Sequence, residues 1–312
     1  MLKKISIAVG SIVFLLLGFK AVKAADLALK PYLYTQNFEG EADPVQEIGG
    51  GWGAFTVNFK GLTREKSFSG KKSFKLDITF KDEGAYCFWA VPTTVPAEGK
   101  LQFSGYILLD EESIGKAGLG LNFISSTNYG ASDSFDAYES TKGEWKLIEG
   151  DPVKMSKGIK SWMMGRNDWP LIATEENFGL FVKGVGIFLH GGKGQRVIVY
   201  VDNLKIEGEA PSEEAYREEM EKRWFSVKEK TAEKISSWEK TVQKLEKELD
   251  SLADSSPDVT ILKEAAREEG ITPFKIRVAK IKENGFFNSA DIQEINSLIE
   301  RLENVLHNIK EM

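Results

Sequence analysis

Of the 29 glycines in this 312-residue sequence, 25 fall between Ala25 and Pro211, and only Gly270 and Gly285 follow Pro211. Glycine supplies the positive backbone angles of tight turns and weakens helix interiors. A chain divided in this way can fold as turn-rich sheet first and as helix afterwards. Residues 211–260 carry no glycine and are dense in Glu and Lys. The division predicts one domain over 25–210 and a second over 211–312, in keeping with about 100–200 residues per domain.

The first segment reads as all-β. Apolar residues alternate with polar or small ones in Ser73-Phe74-Lys75-Leu76-Asp77-Ile78, Leu101-Gln102-Phe103-Ser104, Leu119-Gly120-Leu121-Asn122-Phe123, Val185-Gly186-Ile187-Phe188-Leu189 and Val197-Ile198-Val199-Tyr200-Val201. That period of two is the strand signature. Turn signals separate the runs at Ser69-Gly70-Lys71-Lys72, Lys142-Gly143-Glu144 and Gly191-Gly192-Lys193-Gly194. No helix-period segment is read among them, so a jelly-roll sandwich of two sheets is the expected architecture.

The second segment reads as all-α. Trp224, Val227, Thr231, Ile235, Trp238, Val242, Leu245, Leu249 and Leu252 recur at the 3–4 spacing of a coiled-coil-like seam. Ser256-Pro257 and Thr272-Pro273 each open a short helix, which Gly270 and Gly285 are expected to stop. Ile292, Ile295, Ile299, Leu302, Leu306 and Ile309 form a last apolar stripe. A helical hairpin or bundle follows, and its faces are the place for self-association or a protein partner.

Residues 1–24 have the three parts of a secretory signal peptide. Lys3 and Lys4 precede the apolar stretch Ile5 to Phe19, and Val22-Lys23-Ala24 makes a small-residue exit. The apolar stretch is short of the ~20 residues a spanning helix needs, and no Cys follows it to carry a lipid. Export to the periplasm, the cell surface or the medium is therefore expected, with no stable membrane span after cleavage. Cleavage after Ala24 would remove four lysines and no acid, taking the formal net charge from −6 to −10. Such a balance disfavours nucleic acid and anionic membrane surfaces. Cys87 is the only cysteine, which rules out an intrachain disulfide. Only His190 and His307 are present, too few for a Cys/His zinc site.

Four fragments, in order, resemble the galactose-binding-like β-jelly-roll carbohydrate-binding modules of families four, nine, eleven and twenty-two. They are Asn37-Phe38-Glu39-Gly40 with Trp52 after a Gly-rich loop, Ser69-Gly70-Lys71-Lys72-Ser73-Phe74-Lys75-Leu76, Thr141-Lys142-Gly143-Glu144-Trp145, and Val199-Tyr200-Val201-Asp202-Asn203-Leu204-Lys205-Ile206. The resemblance spans about Leu33 to Gly208. It implies a polysaccharide or glycan partner and a structural Ca²⁺ tying the first and last strands. The ligands it implies are Glu39, Glu41 and Asp202, and Ca²⁺ accepts such oxygens in irregular geometry.

Sugar rings need flat apolar surfaces edged by hydrogen-bonding groups. Trp52, Trp89, Trp145, Trp162 and Trp169 exceed what a core requires. Trp145, at a strand entry, is assigned to the core. Trp89 ends Tyr86-Cys87-Phe88-Trp89, where both strand faces carry aromatics and one should be exposed. His190 alternates with apolar Leu189 and should point outward, as Asn122 does. Trp162 and Trp169 flank Arg166 in a segment read as a loop, a good rim for a groove. No Glu-x-Asp-x-x-Glu run and no Gly-x-Ser-x-Gly elbow occurs in the sandwich segment. The expectation is a non-catalytic glycan-binding module with a helical spacer or assembly domain. The alternatives are a structural envelope or adhesion protein that uses the jelly roll for protein contacts, or a glycoside hydrolase with separated carboxylates.

Overall fold

The computed structural model describes residues 27–135, 142–254 and 256–312, so the signal-peptide reading of residues 1–24 lies outside the described residues. Eleven strands among them are β1 (Leu29–Gln36), β2 (Gln46–Trp52), β3 (Phe55–Thr63), β4 (Ser73–Phe80), β5 (Ala85–Pro96), β6 (Lys100–Leu109), β7 (Lys116–Ser125), β8 (Gly130–Ser134), β9 (Trp145–Gly150), β10 (Leu180–Gly191) and β11 (Arg196–Pro211). One sheet has the order β3-β4-β11-β6-β9, with β1 also on β11; the other has the order β2-β5-β10-β7-β8. All the named strand pairs are antiparallel.

The period-two runs become the interior of this sandwich. Phe74, Leu76, Ile78 and Phe80 of β4 face Leu119, Leu121, Val185, Ile187 and Leu189 across one continuous core. At about 25 cal/mol per Å² of apolar surface, such burial is the main stabilising contribution. The predicted turns fall between strands, with Gly70, Gly143 and Gly194 at φ 67°, 80° and 77°.

Two local expectations are corrected. The segment before Trp169 is not all loop: Pro152–Met164 forms a helix, α1, which interrupts the strand series. Asp151 caps it, accepting from the N–H groups of Val153 and Lys154, and Pro152 fills a first-turn position that has no N–H to satisfy. Ile159 and Met163 of α1 join the sandwich core. Nor does Gly270 stop its helix. Among the remaining helices α2 (Glu213–Ser251), α3 (Pro257–Ala266), α4 (Thr272–Asn284) and α5 (Ser289–Glu311), a π-helical turn at Arg267–Ile271 joins α3 to α4. Gly270 is there because Leu302 packs on the spot a Cβ would fill. Gly285, at φ 74°, does end α4 in a left-handed cap.

The predicted α2 stripe is buried in two environments. Trp224 and Val227 lie on the sandwich, as do Tyr216 and Met220 before the stripe, whereas Ile235, Trp238, Val242 and Leu249 meet α3, α4 and α5 in a bundle core. No helix among the described residues is long and apolar enough to cross a membrane.

Candidate functional site

Opposed residues in antiparallel strands project to the same face, and alternate residues along a strand share it. Register therefore lays out the outer face of the β2-β5-β10-β7-β8 sheet in rows about 6.6 Å apart. The first row runs Trp52, Tyr86, His190, Lys116, and the second Ile48, Phe88, Phe188, Gly118. In the third, Gln46 and Ser134 flank the small residues Ala90, Gly186 and Gly120. Asn122 and Ser132 end the fourth, beside Gly184. Beyond a bulge at Val182/Gly184, Phe181 and Ile124 are covered by Tyr216 and Met220 of α2. The face is thus aromatic at one end, small and polar in the middle, and roofed by a helix at the other end.

The aromatic end holds together by ring contacts. Tyr86 stacks on His190 at 5.2 Å and tilts against Phe88 at 5.2 Å; Phe88 meets Phe188 edge-on at 5.0 Å. The Phe188 ring lies over Gly186, where any Cβ would collide with it. Tyr86, Phe88 and His190 are half-buried, and Trp52 stands 54% exposed at the edge. Burial lowers the His190 pKa, and the charge of Lys116 lowers it further. At the polar end the Ser132 hydroxyl donates to Asn122 Oδ1 at 2.7 Å. The Asn122 amide nitrogen is buried without a hydrogen-bond partner, an uncommon and costly state for a donor.

Of the residues expected from sequence, Trp52, His190 and Asn122 share this face. Trp89 does not. It points inward, 4% exposed, in register with Ile187, because the strand turns Ala85, Cys87, Trp89 and Val91 to the core. The outward-facing aromatics of that strand are its neighbours Tyr86 and Phe88, half-buried and in register with His190 and Phe188. Trp169 is also core, against Phe178 at 4.7 Å and Tyr129 at 5.7 Å. Trp162 is 51% exposed on α1, with Arg166 over its ring at 5.0 Å. Arg166 also lies over Tyr129 and is paired with Asp168 through two hydrogen bonds of 2.8 and 2.9 Å. Tyr129 belongs to the β7–β8 turn, beside the Leu180 end of β10, about 33 Å along the strand from His190. Trp162 and Arg166 are therefore no part of the aromatic rows. Trp145 is not between the sheets; it packs with Leu108, Ile198 and Tyr200 on the outside of the other sheet.

Glu39, Glu41 and Asp202 do not form an oxygen cage. One Glu39 carboxylate oxygen accepts from the backbone N–H groups of Lys71 and Lys72 at 2.7 and 2.8 Å, and these bonds, that from Lys72 foremost, hold its pKa below the carboxylate range. Gly70 beside it has no room for a Cβ. Asp202 is fully buried at the β11 bulge and accepts from the N–H groups of Phe68, Ser69 and Asn203 at 2.9, 3.1 and 2.8 Å. Burial raises its pKa despite these donors. The Lys72 ammonium sits on the carbonyls of Glu39 and Gly40, and Glu41 is exposed. Two of the three expected ligands are thus engaged by backbone N–H groups of the chain. Among the described residues, no group of three or more His, Cys, Asp or Glu side chains could hold a metal ion.

No protein-family model and no curated protein matches the sequence. Solved structures of β-sandwich carbohydrate-binding modules are similar to the sandwich. The CBM22-1 xylan-binding domain from Paenibacillus barcinonensis Xyn10C is 16% identical over 57% of this chain and 94% of that chain, with a TM-score of 0.32. The family 11 module of the cellulosomal cellulase Lic26A-Cel5E of Clostridium thermocellum is 13% identical over 58% and 96%, with a TM-score of 0.34. A structure addressing the promiscuous specificity of carbohydrate-binding modules from the β-sandwich superfamily is 15% identical, with a TM-score of 0.34. It is matched over 54% of this chain and 59% of its own length.

Proposed function

We propose that this is an exported, non-catalytic glycan-binding protein whose binding surface is the outer face of the β2-β5-β10-β7-β8 sheet. One observation carries the reading: a row of Trp52, Tyr86 and His190 crosses three strands in register, backed by Phe88 and Phe188. Flat rings side by side present the surface that the C–H faces of sugar rings stack on. The Asn122 amide, with a nitrogen that lacks a partner, and the Ser132 hydroxyl supply hydrogen bonds at the polar end. Between them lie the small residues Ala90, Gly186 and Gly120, with the Phe188 ring over Gly186. No carboxylate pair lies in these rows, which supports binding without cleavage. Export rests on residues 1–24, and the helical segment serves as a support or assembly element at the roofed end of this face.

The test is calorimetric titration of the full chain with xylo-, cello-, manno- and galacto-oligosaccharides, together with an assay for released reducing sugar. An aromatic contact is worth about 0.5–1.5 kcal/mol beyond area, so removing two rings should weaken binding roughly five- to a hundredfold. Trp52→Ala with Tyr86→Ala is the variant to compare. Binding that is unchanged in it, or sugar released by the wild type, overturns the reading.

A further inference from the structure

A second concave site lies where the sandwich meets the bundle. It is an open cavity of about 500 Å³, walled by the β7–β8 turn on one side and α2 on the other, with the end of α4 closing it. The turn is fixed from within. Ser125 Oγ accepts the N–H groups of Thr127 and Tyr129 at 3.2 and 3.0 Å, and the Ser125 carbonyl accepts that of Asn128 at 2.9 Å. Asn128 is thereby held at φ 63°, a conformation that asparagine tolerates better than other side-chain-bearing residues. The facing helix offers two rings. Trp224 is set edge-on to Phe286 at 6.3 Å, and Phe225 stands 57% exposed at the rim.

Four polar side chains line the same cavity without a hydrogen bond or ion pair to the described protein: Asn128, Glu221, Lys228 and Asn284. Two amides donate and accept, one carboxylate accepts and one ammonium donates. Beside an open aromatic ring, this is the complement of a sugar unit, whose hydroxyls both donate and accept and whose C–H face is apolar. The geometry points to a second saccharide site here, taking a single neutral sugar unit with its C–H face on Phe225. The opposed charges of Glu221 and Lys228 give the cavity no preference for an ionic ligand. Ligand sites gather at junctions between structural units, and a second site on one chain raises avidity for a polymer without any new contact at the first.

The probes are glucose, galactose, xylose and N-acetylglucosamine, read by saturation-transfer NMR on the full chain. The chain carries Trp52→Ala and Tyr86→Ala, which separates this site from the outer face and keeps the test valid even if that face binds nothing. At least one probe should still bind. Adding Phe225→Ala and Asn128→Gly should weaken it at least tenfold, with circular dichroism unchanged, since Phe225 is exposed and glycine accepts φ 63°. No bound probe in the first variant, or undiminished binding in the second, overturns the proposal.

Discussion

Tyr86 lies stacked on the His190 imidazole, with centroids 5.2 Å apart and planes 26° from parallel. A titratable ring can serve in this apolar row because burial, and after it the neighbouring Lys116 charge, depress the His190 pKa below its ordinary 6.5. In the unfolded chain the same imidazole takes its proton near pH 6.5. The unfolded state therefore binds more protons in this window, and the His190 contribution to stability is present above about pH 6.5 and lost as the pH falls. Melting midpoints from pH 7.5 to 5 should drop further for the wild type than for His190→Gln. Parallel profiles would show that His190 titrates alike in both states.

Two tryptophans on neighbouring strands should give opposite results. Trp89→Ala empties a buried core site and should cost about 3–5 kcal/mol of stability. Trp52→Ala removes an exposed edge residue and should leave the melting midpoint nearly unchanged while weakening oligosaccharide binding several-fold. Denaturant melts beside calorimetric titrations decide it; an intact fold in Trp89→Ala would place that ring on the wrong face.

That pair also marks how far the sequence could be read. The order of sheet before helix, the period-two runs and the helical stripe each rest on local spacing, and each reappears in the structure. Facing was harder. In Tyr86-Cys87-Phe88-Trp89 both alternations are aromatic or apolar, so local pattern cannot choose between them. The choice is made by register with β10, where Ile187 faces Trp89 and Phe188 faces Phe88. His190 and Asn122 are legible because His190 follows Leu189 and Asn122 lies between Leu121 and Phe123, each on an inner strand of the sheet. The helix α1 carried a signal in Asp151-Pro152, a cap followed by a first-turn proline. Its middle, with Ser156 and Gly158, hides the amphipathic period. The role of Asp202 was also out of reach, because its partners Phe68 and Ser69 lie more than 130 residues away in sequence.

The carboxylates Asp202 and Glu39 are occupied by backbone N–H groups, and the Lys72 ammonium sits on the Glu39 and Gly40 carbonyls. The melting midpoint of the full chain should therefore be the same in chelator and in millimolar Ca²⁺. Asp202→Ala removes the buried acceptor that ties the Phe68 and Ser69 N–H groups of the β3–β4 loop and the Asn203 N–H of the β11 bulge together, and should destabilise the sandwich. A midpoint that rises with Ca²⁺ would mean that these oxygens turn from their donors to a metal.

Tyr216 and Met220, one turn apart on α2, are both 1% exposed and close over Phe181 of β10, whose ring also lies 4.3 Å beneath the Arg217 guanidinium. Further along α2, Trp224 and Val227 belong to the sandwich core itself. The first four turns of a nominally separate helical segment are thus structural parts of the β-sandwich. Met220→Ala should cost about 2–5 kcal/mol, the usual loss for a buried large side chain. That loss should be felt in the sheet as well as in the helix. Hydrogen exchange gives the readout, since amides of β10 around Phe181 should lose protection together with those of α2. A chain ended at Pro211 should melt well below the full chain, because Phe181 and Ile124 then face water. If Met220→Ala loosens only the helical amides and the shortened chain melts like the sandwich of the full chain, then α2 merely rests on the sheet, and the two segments fold independently.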